Sequence, residues 1–234
     1  MCEKIKALSS YFSRGEKLLW SGSVLLILVS FLIFNRGSVL TLFASLIGVT
    51  SLIFNAKGNP FGQLLMVIFS ALYGVVSYSF SYYGEMVTYL GMTAPMSVFA
   101  LVSWLKNPYQ GNRAQVKIEK LSPRDVVFML ALTTVVTVVF AYILKAFHTA
   151  NLIPSVISVI TSFVAVFLTY KRSMFFALAY AANDIVLIFL WTLASLTNTS
   201  YVSMITCFCI FLANDVYTFF NWRRMHKGQM EGVQ

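Results

Sequence analysis

The sequence predicts an all-α, polytopic membrane protein with eight transmembrane helices, and three observations predict it. Of 234 residues, 59% are hydrophobic, 16% aromatic and only 11% charged, against about 25% charged in soluble domains. Apolar runs of about 16–23 residues follow one another along nearly the whole chain, each close to the length that crosses a hydrocarbon core about 30 Å thick. The lysines and arginines fall almost entirely between these runs. The net charge of +9 therefore concerns the membrane rather than nucleic acid, whose recognition needs basic residues clustered on one exposed face.

Taken in order, residues 1–19 are basic and form a cytoplasmic segment in which Ile5, Leu8 and Phe12 share one helical face, the pattern of an interfacial helix. The apolar run after it ends at Asn35-Arg36-Gly37 with no small-residue cleavage pattern, so residues 20–36 read as a retained extra helix rather than a signal peptide. The spans are predicted at about 18–34, 38–54, 61–82, 86–105, 126–147, 151–170, 174–196 and 201–222. With eight spans and a cytoplasmic N-terminus, 15 of the 17 lysines and arginines fall inside and only Arg36 and Lys145 outside. Cytoplasmic loops collect positive charge, and removing one early span would destroy this split. The prediction is N-in and C-in.

The longest polar stretch, 107–125, divides the chain near its middle. A three-helix bundle, 38–106, precedes this cytoplasmic linker. A linking helix, 126–147, a second bundle, 151–224, and a cytoplasmic tail, 225–234, follow it. The bundles resemble each other: Ser103-Trp104 and Lys106 align with Asn221-Trp222 and Arg224, and Tyr73 and Phe80 fall opposite Asp184 and Trp191. Four spans separate corresponding helices, so the copies run the same way, as parallel repeats about an axis along the membrane normal.

Polar residues inside the spans carry the functional reading. Asp184 lies near the middle of its span, where a charge costs about 2.5–3.5 kcal/mol. It shares a face with Tyr180, Leu187 and Trp191, with Asn183 to one side. On the last span Asn214, Tyr217 and Asn221 recur at i, i+3 and i+7, with Asp215 adjacent; Ser70, Tyr73 and Ser77 make a milder stripe in the first bundle, and Gln63 stands nearer the cytoplasmic end. Facing bundles would make of these a cavity of carboxylates, amides and aromatics, suited to a small planar ligand with hydroxyls. Intramembrane amides and hydroxyls also serve as interhelical glue, the reading preferred for Ser70 and Ser77. Trp104 and Trp222, next to basic residues, fit interfacial anchors as well as cavity walls, and Trp20 fits an anchor. Glu85 is predicted outside, as a solvated loop charge or an attractor of cations.

Absences narrow the class. Cys2, Cys207 and Cys209 form no C-x-x-C pair, and His148 and His226 stand far from them, so no metal, disulfide framework or cofactor is expected. There is no phosphate-binding G-x-x-x-x-G-K-[ST] loop, Arg-rich voltage-sensing helix or hydrolase motif. Transport is what remains, with a sensor on the same bundle as the non-transport alternative.

The run 55-NAKGNPFGQ-63, then 83-YGE-85, the Trp104-Leu105-Lys106 ending, 183-NDIVLIFLW-191 and 214-NDVYTFFNW-222 together resemble the PnuC family of nicotinamide riboside transporters, over about residues 15–227. The resemblance implies a SWEET-like arrangement of one, three, one and three helices. It also implies a bacterial inner-membrane facilitator, a homotrimer, and a cytoplasmic kinase that traps the product. On this resemblance Asp184 or Asp215 offsets the cationic pyridinium ring, Trp191 and Tyr217 stack on it, and Asn183, Asn214 and Asn221 bond the carboxamide and hydroxyls; Tyr73, Gln63, Trp104 and Trp222 complete the candidate binding set. One departure stands out: some members carry a W-x-x-W pair, whereas here Trp191 has Ala194 at that spacing. Relatives that carry thiamine, riboflavin or deoxynucleosides, and sugar facilitators of the SWEET type, stay open as alternatives.

Overall fold

Helix starts are set by polar caps next to residues pre-shaped for a first turn. In the computed structural model, which describes residues 11–80, 82–149 and 151–232, Ser13 and Glu16 close a reciprocal capping box at the head of α1 (Arg14–Phe34). Residues 1–10 of the predicted N-terminal segment 1–19, with Ile5 and Leu8, lie outside the described residues. Ser38 caps α2 (Val39–Ala56). Gly58, at φ +66° where a side chain would be strained, turns the chain, and Asn59 accepts from Phe61 N at 2.9 Å with Pro60 at the first turn of α3 (Pro60–Ser79).

The next span is not a uniform helix. It begins as α4 (Tyr83–Thr88), passes through a π segment (Tyr89–Thr93) and continues as α5 (Ala94–Lys106). Pro95 supplies the reason: without an N–H it cannot take the carbonyl four residues back, and the Ala94 N–H instead reaches Tyr89 O, five residues back.

The linker is folded. A short antiparallel hairpin, β1 (Pro108–Tyr109) and β2 (Asn112–Val116), turns at Gln110 and Gly111, both at positive φ. Val116 N donates to Gly58 O at 2.9 Å, and Glu119 N to Arg172 O at 3.1 Å. A second capping box, Ser122 with Asp125, opens the linking helix α6 (Pro123–Ala146). Then come α7 (Leu152–Tyr170), α8 (Phe176–Ser195), a 3-10 turn (Thr199–Tyr201) and α9 (Val202–Glu231). α9 runs well past the predicted end of its span, and Gln229 on the extension bonds Ile118 N at 2.9 Å and Val116 O at 3.0 Å.

Among the described residues, eight helical spans are long and apolar enough to cross a membrane, one of them the interrupted α4–α5 unit, and their order matches the predicted eight. The two halves pack alike. α2 packs on α3 and α3 on α5; α7 packs on α8 and α8 on α9; α9 then meets α2, and α5 meets α7. α1 lies against α2 and α9, outside this ring.

Candidate functional site

Near the turn that joins α2 to α3, tryptophans close the space between the bundles. Trp222 Nε1 donates to Asn55 O at 2.8 Å, and Trp104 Nε1 to Thr169 O at 2.9 Å. Each bond runs from the last helix of one bundle to the C-terminal turn of the first helix of the other. Their flanking residues repeat the pattern: Asn221 Nδ2 donates to Ala56 O at 2.8 Å, and Ser103 Oγ to Tyr170 O at 2.9 Å. The indoles lie 5.4 Å apart and are fully buried, so they are not interfacial anchors. Trp20, 40% exposed, keeps that character. Gln63 Nε2 donates to Asn55 Oδ1 at 2.9 Å, which brings a predicted site residue to this closure, while Gln63 Oε1 is buried without a donor among the described residues. A recess of about 300 Å³ at this end lies among residues 118–121, residues 173–175 and His226, apart from the tryptophans.

Toward the middle, Asp184 on α8 and Asp215 on α9 are buried and their carboxyl groups face each other. Carboxylates have no donor of their own, so the two can hydrogen-bond to each other only when one of them holds a proton. Asp184 Oδ2 and Asp215 Oδ1 meet no other partner among the described residues.

Asn183 has a different setting. Its Oδ1 accepts from Thr161 Oγ1 at 2.8 Å, Ser162 Oγ at 2.9 Å and Ser158 Oγ at 3.4 Å, which binds α8 to α7. The stripe of Asn214, Tyr217 and Asn221 divides: the first two face α1, while Asn221 reaches Ala56 O on α2 of the other bundle. Asn214 Nδ2 donates to Ser23 Oγ at 3.1 Å, and Tyr217 OH to Glu16 Oε1 at 3.2 Å, both on α1. Glu16 is buried and also paired with Lys57 at 3.2 Å. Only Asp215, on the adjoining face of α9, turns toward Asp184.

At the far end an aromatic cluster surrounds Trp191. Its Nε1 donates to Tyr73 OH at 2.9 Å; Tyr82 lies 4.7 Å from it at 30°, and Tyr73 and Tyr89 stand 4.3 Å apart. Glu85 belongs here. It is 1% exposed, so the solvated-loop reading is corrected: α4 begins two residues before it and folds it inward. Tyr82, between spans, has its phenol pKa raised first by burial, then by Tyr201 and Glu85. The hydroxyls of Ser70, Ser77 and Ser97 are buried without partners among the described residues, so Ser70 and Ser77 are not hydrogen-bonding glue. Glu85 and Ser97 are the polar groups that the sequence pattern missed, because helical periodicity does not tell whether the start of a span tucks in.

The central carboxylates, unpartnered hydroxyls and aromatic faces can hold a planar solute with polar groups. No group of His, Cys, Asp and Glu among the described residues could hold a metal. The search of curated proteins found no match. A solved structure described as the crystal structure of the vitamin B3 transporter PnuC is similar at 26% identity, over 93% of this chain and 94% of that one, with a TM-score of 0.81. The family model described as nicotinamide mononucleotide transporter matches residues 38–224. The chain, a multi-pass membrane protein of the kind that bacteria place in the inner membrane, belongs to this family of transporters rather than of enzymes.

Proposed function

We propose that the protein carries nicotinamide riboside through the space between its two bundles by facilitated diffusion, and that phosphorylation on the cytoplasmic side traps the product. The charge of the interior carries this reading. Glu85, Asp184 and Asp215 are buried between the helices, whereas no lysine, arginine or histidine is buried among the described residues. A mononucleotide brings a phosphate, which needs cationic or dense N–H partners. The riboside lacks phosphate and brings a cationic ring, which the carboxylates and the faces of Trp191, Tyr73 and Tyr82 suit. The lysine and arginine distribution puts the Trp104/Trp222 end in the cytoplasm. The matching bundle contacts support a parallel repeat, and the family resemblance supports a homotrimer.

Isothermal titration of the purified protein with nicotinamide riboside, the mononucleotide, thiamine, riboflavin and a deoxynucleoside, side by side, tests the substrate. Micromolar or tighter binding of the riboside alone is expected. Tighter binding of the mononucleotide would overturn the charge argument, and selective binding of another compound would keep transport but change the cargo.

A further inference from the structure

A carboxylate inside a membrane protein needs a proton, a cation or a set of donors, because an isolated ionised group there is very costly. Asp184 and Asp215 can meet part of this need by sharing one proton, since their carboxyl groups face each other. Glu85 does not: neither of its oxygens has a hydrogen-bond partner among the described residues. The Ser158 hydroxyl lies beside it, but that hydroxyl's 3.4 Å hydrogen bond goes to Asn183 Oδ1. No basic side chain is buried anywhere in the described interior.

Nor can Glu85 swing into solvent. Gly84, the residue before it, is packed so closely that an added Cβ would stand 2.7 Å from Thr149 Cγ2 and 3.2 Å from Leu144 Cδ2. Thr88 Oγ1 returns to Gly84 O at 2.9 Å and ties down the same turn. The carboxylate is therefore held at the aromatic cluster, within electrostatic reach of Tyr73 on α3, Tyr82 ahead of α4 and Tyr89 in the π segment. A π segment begins within one turn of it, and such interruptions gather at functional sites. A negative charge set among fixed aromatic rings is the chemistry that recognises an organic cation, which gains from both charge and ring face.

We propose that Glu85 is the specificity-determining residue that selects a positively charged heteroaromatic ring. This inference rests on the riboside reading above, and the test separates the two. The oxidised riboside carries a cationic ring; its reduced, dihydronicotinamide form is nearly the same shape and uncharged. Affinities for both are measured by titration on the full-length protein, as wild type, Glu85→Gln and Glu85→Asp. The wild type is expected to prefer the cation at least 10-fold. Glu85→Gln should lose most of that preference by weakening the cation alone, and Glu85→Asp should keep it. Wild type that binds neither form overturns the riboside reading and this inference with it. Unchanged preference in Glu85→Gln overturns the inference alone. Equal weakening of both ligands in Glu85→Gln assigns the residue to packing and overturns it as well.

Discussion

Asn183 shows how a residue can sit in the right place for a ligand and still belong to the scaffold. Its side-chain oxygen takes three hydroxyls from α7, so Asn183→Ala would strip an acceptor from Ser158, Thr161 and Ser162 together. Leaving buried donors unmade costs about 1–3 kcal/mol. A lower melting temperature is the expected outcome in a thermal melt in detergent, with Asn183→Asp, which keeps the acceptor, closer to wild type. A different asymmetry is expected at the central pair. Asp184→Asn retains a donor for the Asp215 carboxylate, while Asp184→Ala leaves that group alone in the interior, so the alanine variant should be the less stable of the two. Equal melting temperatures would mean that the contact between the two carboxyl groups contributes nothing. The sequence marked both Asn-Asp pairs as unusual, but spacing could not say which neighbour each polar atom would find. In Asn183-Asp184 the amide turns to its own bundle. In Asn214-Asp215 the amide turns to Ser23 on α1.

At the scale of elements, the spans were legible because hydropathy and loop charge report directly on the bilayer, and all eight predicted spans fall on helices. What those signals do not encode is where the extra helix docks. The stripe Asn214, Tyr217 and Asn221 pointed to a cavity only while α1 was free to lie elsewhere; Asn214 and Tyr217 instead hold α1 through Ser23 and Glu16, and Asn221 holds Ala56 O on α2. The linker hairpin was hidden for a related reason, since β1 and β2 are too short for periodicity and are fixed by bonds to Gly58, Arg172 and Gln229. Close approach of α2 and α3 gives this scale its own test. Gly62 lies against Asn55, where an added Cβ would overlap Asn55 Oδ1 and stand 2.7 Å from the Asn55 backbone N. The backbone atom cannot step aside, so Gly62→Ala must separate the helices and disturb the Gln63–Asn55 bond. Overpacking of this kind costs about 1–3 kcal/mol. A melting temperature equal to that of wild type would show that α2 and α3 are not in close contact at this turn.

For the whole molecule, the paired tryptophan bonds set what transport has to break. Trp222 to Asn55 O and Trp104 to Thr169 O are one interaction made twice, by helices in the same position of each bundle. A carrier that exposes its cavity to each side in turn must lose both when this end opens, so they stabilise the closed state alone, and such bonds shift the population of states. Replacing either indole by Phe keeps most of the packing and removes the N–H, while each carbonyl keeps a backbone donor, Gly58 N on Asn55 O at 2.9 Å and Arg172 N on Thr169 O at 3.0 Å. One buried hydrogen bond contributes about 0.5–1.5 kcal/mol, which favours the open end about 2- to 12-fold. Alkylation of a cysteine placed at Gln63, in a background without Cys2, Cys207 and Cys209, reads this opening directly. Trp104→Phe and Trp222→Phe should each raise the rate, by similar factors because their bonds are equivalent. A response confined to one variant would show that the two bundles do not share the closure equally, whatever the likeness of their contacts. No response in either would place the barrier elsewhere, at the aromatic cluster around Trp191.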